Sequence, residues 1–263
     1  IELHKQGHLT EAKYLYEQVL CVQPELFDAL HLLGIVAAQS KSFEVAVDLL
    51  TRAISVNENS AFAHNNLGNT LSELHRLEEA VTSYDRALAL NPEDATAFSN
   101  RGSALMGLHR PEEALASYER ALSLEPNYAD AHYNRGNALR DLHRLEEALV
   151  SYDRALSLKS GYDFLFGVRL HVQAQVCDWN GLSTGIRRLE TRIQDGDKIS
   201  TPFPVLALLD RTDVQLKAAR TWSETKYPVS TALGAIPRRS PSGMIRIGYY
   251  SADFYDHATS HLI

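Results

Sequence analysis

Ten residues near the carboxyl end of the chain carry a high density of side chains that can do chemistry. The segment 252–261 holds two carboxylates, two imidazoles and two aliphatic hydroxyls. His257 could act near neutral pH as an acid, a base or a hydrogen-bond donor to an anion, and Asp253 and Asp256 could orient it. The same residues also suit a loop-to-helix turn that Asp256 caps, with the histidines merely polar. His257 and His261 form an incomplete metal-ligand set, because no third ligand accompanies them.

A second set of polar side chains recurs at fixed spacing in the first half of the chain. Asparagine returns at one position in three successive copies, and one helical turn later in two of them: Asn66, Asn100 and Asn134, then Asn69 and Asn137. A carboxamide both donates and accepts hydrogen bonds, so a row of them can bind the backbone of an extended peptide whatever its sequence. Alternatively, these amides bridge neighbouring repeats within the chain. Both interpretations stay open, and Leu32 interrupts the first set one repeat earlier.

The elements that must position these asparagines repeat every 34 residues. Small residues and tyrosines keep this step: Gly34, Gly68, Gly102 and Gly136; Ala46, Ala80, Ala114 and Ala148; Tyr84, Tyr118 and Tyr152, with Leu50 in the earlier equivalent position. A period of this length is typical of a stacked array of helix pairs. Glycine and alanine let two helix axes approach closely, and a tyrosine then fills the neighbouring groove. We assign the array to residues 1–160.

Four full repeats are predicted within this array, and residues 1–26 read as the end of an earlier one. The full repeats are assigned to residues 27–60, 61–94, 95–128 and 129–160. Three histidines lie a full repeat apart, too far to share one metal ion, so we predict that they are turn residues: His75, His109 and His143. Pairs of glutamates follow them, and negative charge suits the first turn of a helix.

The distribution of charge limits the classes of partner. Residues 1–160 contain 14 Lys and Arg and 23 Asp and Glu, a net charge of −9, whereas residues 161–263 carry a net charge of +2. An acidic array disfavours nucleic acid, whose phosphate backbone needs clustered cations. No apolar run reaches the length of a membrane span. Cys21 and Cys177 have no nearby cysteine partner, which favours a reducing, cytoplasmic environment.

The repeat phase is lost after the fourth repeat. Residues 161–226 keep a helical pattern, and we predict a cap over the apolar face of the last repeat. Residues 227–243 hold three prolines and two glycines and read as a linker. Residues 244–251 are β-branched and aromatic and predict a buried strand, which opens an α/β domain starting at 244–263. Because one strand cannot bury itself, we expect this domain to continue beyond Ile263.

Two segments resemble a known family. The run GYYSADFYDHATSHLI follows a 34-residue pattern that resembles the tetratricopeptide repeat. In that setting it is similar to the start of the catalytic region of protein O-GlcNAc transferases and their bacterial relatives. The cap segment VCDWNGL, from Val176 to Leu182, is similar to the Cys-Asp-Trp element that this family carries between its repeats and its catalytic lobes.

The resemblance implies an inverting glycosyltransferase with two Rossmann-like lobes. Such an enzyme moves N-acetylglucosamine from UDP-GlcNAc to Ser or Thr hydroxyls of acceptor proteins. The repeats would guide the protein substrate, and the asparagines would hold its backbone. His257 matches the family's active-site motif histidine, although Ala258 stands where the family commonly has proline, and Asp253 belongs to the same segment. Nucleotide-binding residues would lie beyond residue 263, and neither a metal nor a cofactor is expected.

We therefore expect a mostly helical tetratricopeptide-repeat superhelix with a helical cap, ending in the first strand of a truncated Rossmann-like glycosyltransferase domain. Acceptor proteins or peptides are the expected partners, rather than nucleic acid or membranes. The present chain alone would bind protein substrates without turning over sugar. The alternative function is a non-catalytic scaffold that gathers partner proteins through peptide grooves.

Overall fold

The structure, a computed structural model, describes residues 2–228 of the chain. Within this range the chain forms 14 α-helices and no strand. In order they are α1 Glu2–Lys5, α2 Leu9–Val22, α3 Phe27–Gln39, α4 Phe43–Val56, α5 Ala61–Glu73, α6 Leu77–Leu90, α7 Ala95–Gly107, α8 Pro111–Leu124, α9 Ala129–Asp141, α10 Leu145–Leu158, α11 Leu165–Gln175, α12 Leu182–Gln194, α13 Pro202–Leu208 and α14 Thr212–Lys226. None of these helices combines the length and apolar character that a membrane crossing requires.

Helices α3 to α10 form four consecutive pairs, and each pair packs on the next. In two of the pairs, the first helix begins where the side chain of the preceding residue accepts a hydrogen bond from a free backbone amide. Ser60 Oγ accepts from Ala63 N at 3.3 Å, and Asp94 Oδ1 accepts from Ala97 N at 2.9 Å. The predicted helical repeat array is therefore confirmed.

A residue in the left-handed conformation reverses the chain within each pair. Lys41, His75, His109 and His143 have φ angles of 58°, 56°, 56° and 57°. The next backbone amide then satisfies a carbonyl of the finished helix, as Arg76 N does by donating to Leu71 O at 2.9 Å. The three repeated histidines are thus turn residues, as predicted. Among residues 2–228, no group of three or more His, Cys, Asp or Glu is placed to hold a metal ion.

The second helix of three pairs begins with a two-point ion pair. Arg76 donates from Nε and one terminal nitrogen to the two carboxylate oxygens of Glu79, both at 2.7 Å. Arg110 with Glu113 and Arg144 with Glu147 repeat this geometry. The hydrogen bond from Arg76 holds the pKa of Glu79 below its usual value. One glutamate of each predicted pair therefore clamps the turn, in addition to its favourable position near the helix dipole.

The repeated glycines lie directly against the repeated tyrosines. A methyl group added to Gly68 would come within 2.7 Å of the Tyr84 ring, and one on Gly102 within 2.6 Å of the Tyr118 ring. Gly136 faces Tyr152 in the same way. In the first pair Leu50 replaces the tyrosine beneath Gly34. Close packing between the two helices of each pair therefore explains why every pair repeats a small residue and, 16 residues later, a large one.

An ion pair between residues 16 positions apart links the second helix of one pair to the first helix of the next, and it recurs along the array. Arg101 Nε lies 2.6 Å from Asp85 Oδ1, and Arg135 lies 3.4 Å from Glu119. Arg169 of α11 continues the series, at 2.7 Å from Asp153 Oδ1. The expectation that no repeat phase survives after the fourth repeat was therefore wrong for α11.

Helix α11 covers the end of the last pair. Leu165 and Val172 are buried in the same core cluster as Leu139 and Tyr152. The backbone amide of Phe164, which has a φ of 67°, donates to Lys198 O at 2.5 Å and anchors the start of the helix. Helices α12 to α14 pack around a separate core cluster.

The chain divides into two compact units, Ile1–Thr225 and Lys226–Ile263. The first contains the helices above, apart from the last residue of α14. Only residues 226–228 of the second are described. The predicted strand at 244–251, nearly all of the predicted linker and the predicted catalytic-lobe start therefore lie outside the described residues.

Candidate functional site

The predicted binding asparagines all lie on the first helices of successive pairs. Asn66 and Asn69 are on α5, Asn100 is on α7, and Asn134 and Asn137 are on α9. Because α3, α5, α7 and α9 contact their neighbours in this series, the structure brings these side chains into one row, which we call the amide row. All five are half-buried.

Three members of the amide row connect one repeat to the preceding one. Asn100 Nδ2 donates to Asn69 Oδ1 at 3.0 Å, and Asn134 Nδ2 donates to Ser103 Oγ at 3.4 Å. Asn66 Nδ2 donates to His31 Nε2 at 2.9 Å, because apolar Ile35 occupies the position equivalent to Asn69. The bridging interpretation of these asparagines therefore describes real contacts.

Buried tyrosines hold the other two asparagines of the row. Tyr84 OH donates to Asn69 Oδ1 at 2.8 Å, and Tyr152 OH donates to Asn137 Oδ1 at 3.0 Å. Burial raises the pKa of Tyr84 to about 12 and also raises that of Tyr152, so both hydroxyls stay protonated at neutral pH. The core thus fixes which amide atom points inward.

Bridging uses only half of each carboxamide. Among the described residues, no protein group bonds the Nδ2 atoms of Asn69 and Asn137, nor the Oδ1 atoms of Asn66, Asn100 and Asn134. These atoms are not sealed from solvent. The row therefore offers two free donors and three free acceptors in fixed positions, which is the chemistry that a peptide backbone can satisfy.

Three cavities lie between consecutive first helices along the row. The first groove cavity, between α3 and α5, has a volume of about 360 Å³ and includes Ile35 and Leu50. The second groove cavity, between α5 and α7, has a volume of about 430 Å³ and includes Tyr84. The third groove cavity, at α9 and α11, has a volume of about 380 Å³ and includes Arg140 and His171.

The third groove cavity is lined by aromatic side chains and by Arg140, which is paired with Asp141 at 3.1 Å. His171 stands at the position equivalent to Asn137, and its ring meets the edge of Phe203 with centroids 5.4 Å apart. Burial lowers the pKa of His171, and the nearby Arg140 lowers it further. The imidazole is therefore neutral at pH 7 and can accept or donate a hydrogen bond.

A larger cavity of about 720 Å³ lies between the last repeat and the cap. Arg169 and Arg192 each face an aspartate there, and Arg188 lies over the Phe166 ring at 5.2 Å. Sequence reasoning missed this cavity, although the excess of basic residues after position 160 was a signal of it.

The Cys-Asp-Trp element forms a tightly bonded turn. Asp178 accepts from the Asn180 backbone amide at 3.1 Å and from Gln173 Nε2 at 3.0 Å, and both bonds lower its pKa. Gln173 is buried, and it also accepts from Arg169. Trp179 remains 67% exposed. The two predicted catalytic residues, His257 and Asp253, lie outside the described residues.

Comparisons with known proteins identify the repeats. Family models described as tetratricopeptide or TPR repeat match residues 100–163, 68–108 and 49–82. The helix pairs are tetratricopeptide repeats. A comparison with curated protein sequences gives no match. None of these findings bears on the resemblance to protein O-GlcNAc transferases, which stays a prediction.

Solved structures with the same architecture are numerous, since 363 chains match. PilF of Pseudomonas aeruginosa is 21% identical, covers 72% of this chain and 86% of its own, and has a TM-score of 0.64. MamA is 23% identical, with coverage of 60% and 93% and a TM-score of 0.58. YrrB, described as a TPR protein with an unusual peptide-binding site, is 18% identical, with coverage of 78% and 97% and a TM-score of 0.58. At these identities the similarity establishes the fold alone.

Proposed function

We propose that this chain is a protein-interaction array whose amide row binds an extended peptide segment of a partner protein. The observation that carries the proposal is the split use of each carboxamide. One polar atom is fixed inside the array, and the other stays available at the surface. Fixed donors and acceptors bind a backbone at a lower entropic cost than freely rotating ones.

The spacing of the row suits an extended ligand. Axes of packed helices lie about 8–10 Å apart. An extended chain advances by about 3.3–3.6 Å per residue, so one repeat corresponds to about three peptide residues. From α5 to α9 there are two such steps, so the amides could contact one backbone over about six residues. YrrB, a TPR protein with an unusual peptide-binding site, is another array of this fold that binds a peptide.

The proposal is tested by removing the free acceptors at the centre of the row. Asn100→Ala with Asn134→Ala should weaken binding of fluorescein-labelled peptides, selected from a random library on the unaltered chain, by about tenfold. Two backbone hydrogen bonds of about 0.5–1.5 kcal/mol each account for this loss. Fluorescence anisotropy measures the affinity, and urea unfolding measures stability in parallel.

A matched control separates binding from stability. Ser117→Ala with Ser151→Ala removes two buried hydroxyls of α8 and α10 that accept from Arg101 and Arg135 and bond no member of the amide row. This control should lose about 1 kcal/mol of stability per hydroxyl and keep its peptide affinity. If both double variants lose affinity only in proportion to stability, the asparagines act as internal bridges and the proposal fails.

A second candidate function is the repeat and early catalytic region of a protein O-GlcNAc transferase. It is supported by the sequence resemblance of the segment around His257 and by the Cys-Asp-Trp turn, in which Asp178 bonds Gln173 and Asn180 beside the exposed Trp179. In this function the peptide in the groove would be the acceptor, UDP-GlcNAc would be the donor, and His257 and Asp253 would belong to the active-site segment.

The test of this second candidate uses the complete gene product. With UDP-GlcNAc and an acceptor peptide it should release UDP, and His257→Ala should slow that release by about 100-fold or more. Mass spectrometry of the peptide should show the added sugar. A folded product that releases no UDP would eliminate the enzymatic function and leave peptide binding intact.

A further inference from the structure

The first and second groove cavities are the same structural position in successive repeats. Both lie between neighbouring first helices and next to the amide row, and their lining residues correspond at the 34-residue step. Asn69 lines both of them. The molecule therefore contains an internal comparison, because the backbone setting is shared and only the side chains differ.

Substitutions between the two repeats change the polarity of this cavity. Ile35, Ala38 and Leu50 line the first groove cavity at the positions where the second has Asn69, Ser72 and Tyr84. In the second cavity these groups bond one another, since Tyr84 OH lies 2.8 Å from Asn69 Oδ1 and 3.4 Å from Ser72 Oγ. The first cavity has no such network, and the half-buried Ile35 and Ala38 present hydrocarbon there instead, whereas Leu50 is itself fully buried.

The mouth of the first groove cavity is polar. Lys41 and Glu73 lie at its edge, are exposed, and form no ion pair within the described residues. Asn66 and Asn69, which belong to the amide row, form the adjoining wall. Two unpaired charges of opposite sign at the mouth favour a ligand that has both polar and apolar groups, such as a peptide, over a ligand that is entirely apolar.

We infer that the first groove cavity is a specificity pocket that accepts one bulky apolar side chain, of the Leu, Ile, Met or Phe class, from the peptide bound along the amide row. This inference rests on the proposed peptide-binding function and adds a sequence preference to it. A volume of about 360 Å³ falls within the range of specific ligand pockets and accommodates such a side chain.

The backbone contacts and this pocket have different roles. The amides bind main chain and do not distinguish peptide sequences. Burial of one large apolar side chain adds about tenfold to a hundredfold in affinity over a glycine at the same peptide position. The pocket therefore selects among peptides that the amide row alone would bind equally.

A small probe tests the pocket without requiring a bound peptide. N-acetyl-phenylalanine amide is titrated into the full chain, and the side-chain methyl groups of Ile35 and Leu50 are followed by carbon–proton NMR. We expect these methyls to shift in a saturable manner, with smaller changes at Leu139, which is buried in another repeat. Uniform or absent shifts would overturn the inference.

A double variant converts this pocket to the chemistry of the next repeat. Ile35→Asn with Leu50→Tyr reproduces the pair Asn69 and Tyr84, and a tyrosine fits beneath Gly34 as Tyr84 fits beneath Gly68. The affinity of N-acetyl-phenylalanine amide for this site, followed on the Ala38 methyl that both proteins keep, should then fall by at least about tenfold. If this variant does not fold, Ala38→Leu fills the cavity from its half-buried wall and should give the same loss.

Library selection separates this inference from the proposed function. Peptides selected on the unaltered chain should share one bulky apolar residue, and selection on the double variant should lose that enrichment while still yielding binders. Binders with no apolar preference, or the same preference on both proteins, overturn the pocket alone. The absence of any binder overturns peptide binding as well. Concentration-dependent self-association that disappears in the variant would assign the pocket to a second copy of the chain and refute the inference.

Discussion

At the scale of single residues, the glycines determine how closely the two helices of a repeat approach. Gly102 lies against the Tyr118 ring, and both residues are buried. The tyrosine hydroxyl lies at the level of the amide row, 3.3 Å from Ser103 Oγ. Packing in the core and the arrangement of polar atoms in the groove are therefore set by the same contact.

Gly102→Ala should destabilise the array. The added methyl would lie 2.6 Å from a ring atom of Tyr118, which a buried ring cannot easily avoid. Overpacking costs about 1–3 kcal/mol and the better helix propensity of alanine offsets up to about 1, so we expect a net loss of about 1–2 kcal/mol in urea unfolding. Gly107→Ala is the control, because its methyl meets only the tip of the flexible Leu77 side chain. Equal losses in both variants would contradict this explanation.

The buried tyrosines should make the array sensitive to alkali. Burial raises the pKa of Tyr84 and Tyr118 to about 12, whereas an unfolded tyrosine titrates near 10. Their stabilising contribution is therefore complete below about pH 10 and is lost as the pH rises towards about 12. Urea unfolding midpoints should fall over this interval, and Tyr118→Phe should fall less steeply. A midpoint independent of pH over the same range would refute the prediction.

Sequence periodicity was sufficient to locate the amide row but not to resolve its two roles. The spacing of Asn66, Asn100 and Asn134 is compatible both with peptide binding and with bridging between repeats. The sequence does not show which atom of each carboxamide is bonded within the array and which is free. That division depends on where Tyr84 and Tyr152 place their hydroxyls. The first groove cavity was also not predicted. Its signal was the change from tyrosine to Leu50, which sequence analysis recorded without interpreting.

At the scale of elements, α11 shows how a repeat can change its packing while keeping its register. Leu170 stands at the position of the repeated glycine and packs into the cap core. The close contact between glycine and tyrosine is therefore absent from α11. The 34-residue spacing of small and aromatic residues, which predicts the repeats, ends there as well. Arg169 keeps the register through its bond to Asp153. An ion pair spanning 16 residues leaves a much weaker pattern in sequence than a packing motif.

Arg169→Ala should loosen the cap without affecting distant repeats. Arg169 is 22% exposed and bonds both carboxylate oxygens of Asp153, at 2.7 and 3.1 Å. Loss of about 1 kcal/mol for this pair should reduce amide protection in α11 by about fivefold in hydrogen exchange. Protection in α5 and α6 should not change, because stacked repeats interact mainly with their neighbours. Arg187→Ala, on the exposed side of α12, should leave α11 protected.

At the scale of the whole molecule, the core is divided along the chain. One cluster of buried residues runs through α2 to α4, a second runs from α5 to α11, and a third belongs to the cap. Stability in such an array is close to a sum of local terms and contacts between neighbours. We therefore do not expect a single unfolding transition to describe the entire chain.

Leu30→Ala should unfold the first repeats ahead of the others. Leu30 is 1% exposed in the first cluster, and truncation at such a site costs about 2–5 kcal/mol. Hydrogen exchange should accelerate in α2, α3 and α4 and change little in α8 to α10. Leu139→Ala, at 0% exposure in the second cluster, should show the opposite distribution. Uniform acceleration in either variant would indicate one cooperative unit.

If the amide row binds a peptide as proposed, the unequal ends of the groove would make that binding directional. Backbone amides and carbonyls alternate in much the same way when a chain is reversed, so a row of carboxamides alone would tolerate either orientation of its ligand. Here the end near α3 is lined by hydrocarbon and the end near α11 by Arg140 and His171. A peptide bound in the reverse orientation would place its apolar side chain beside the guanidinium group of Arg140. In the proposed function, the array would therefore distinguish a peptide from one of reversed sequence, and the rest of the partner chain would leave the groove at a fixed end.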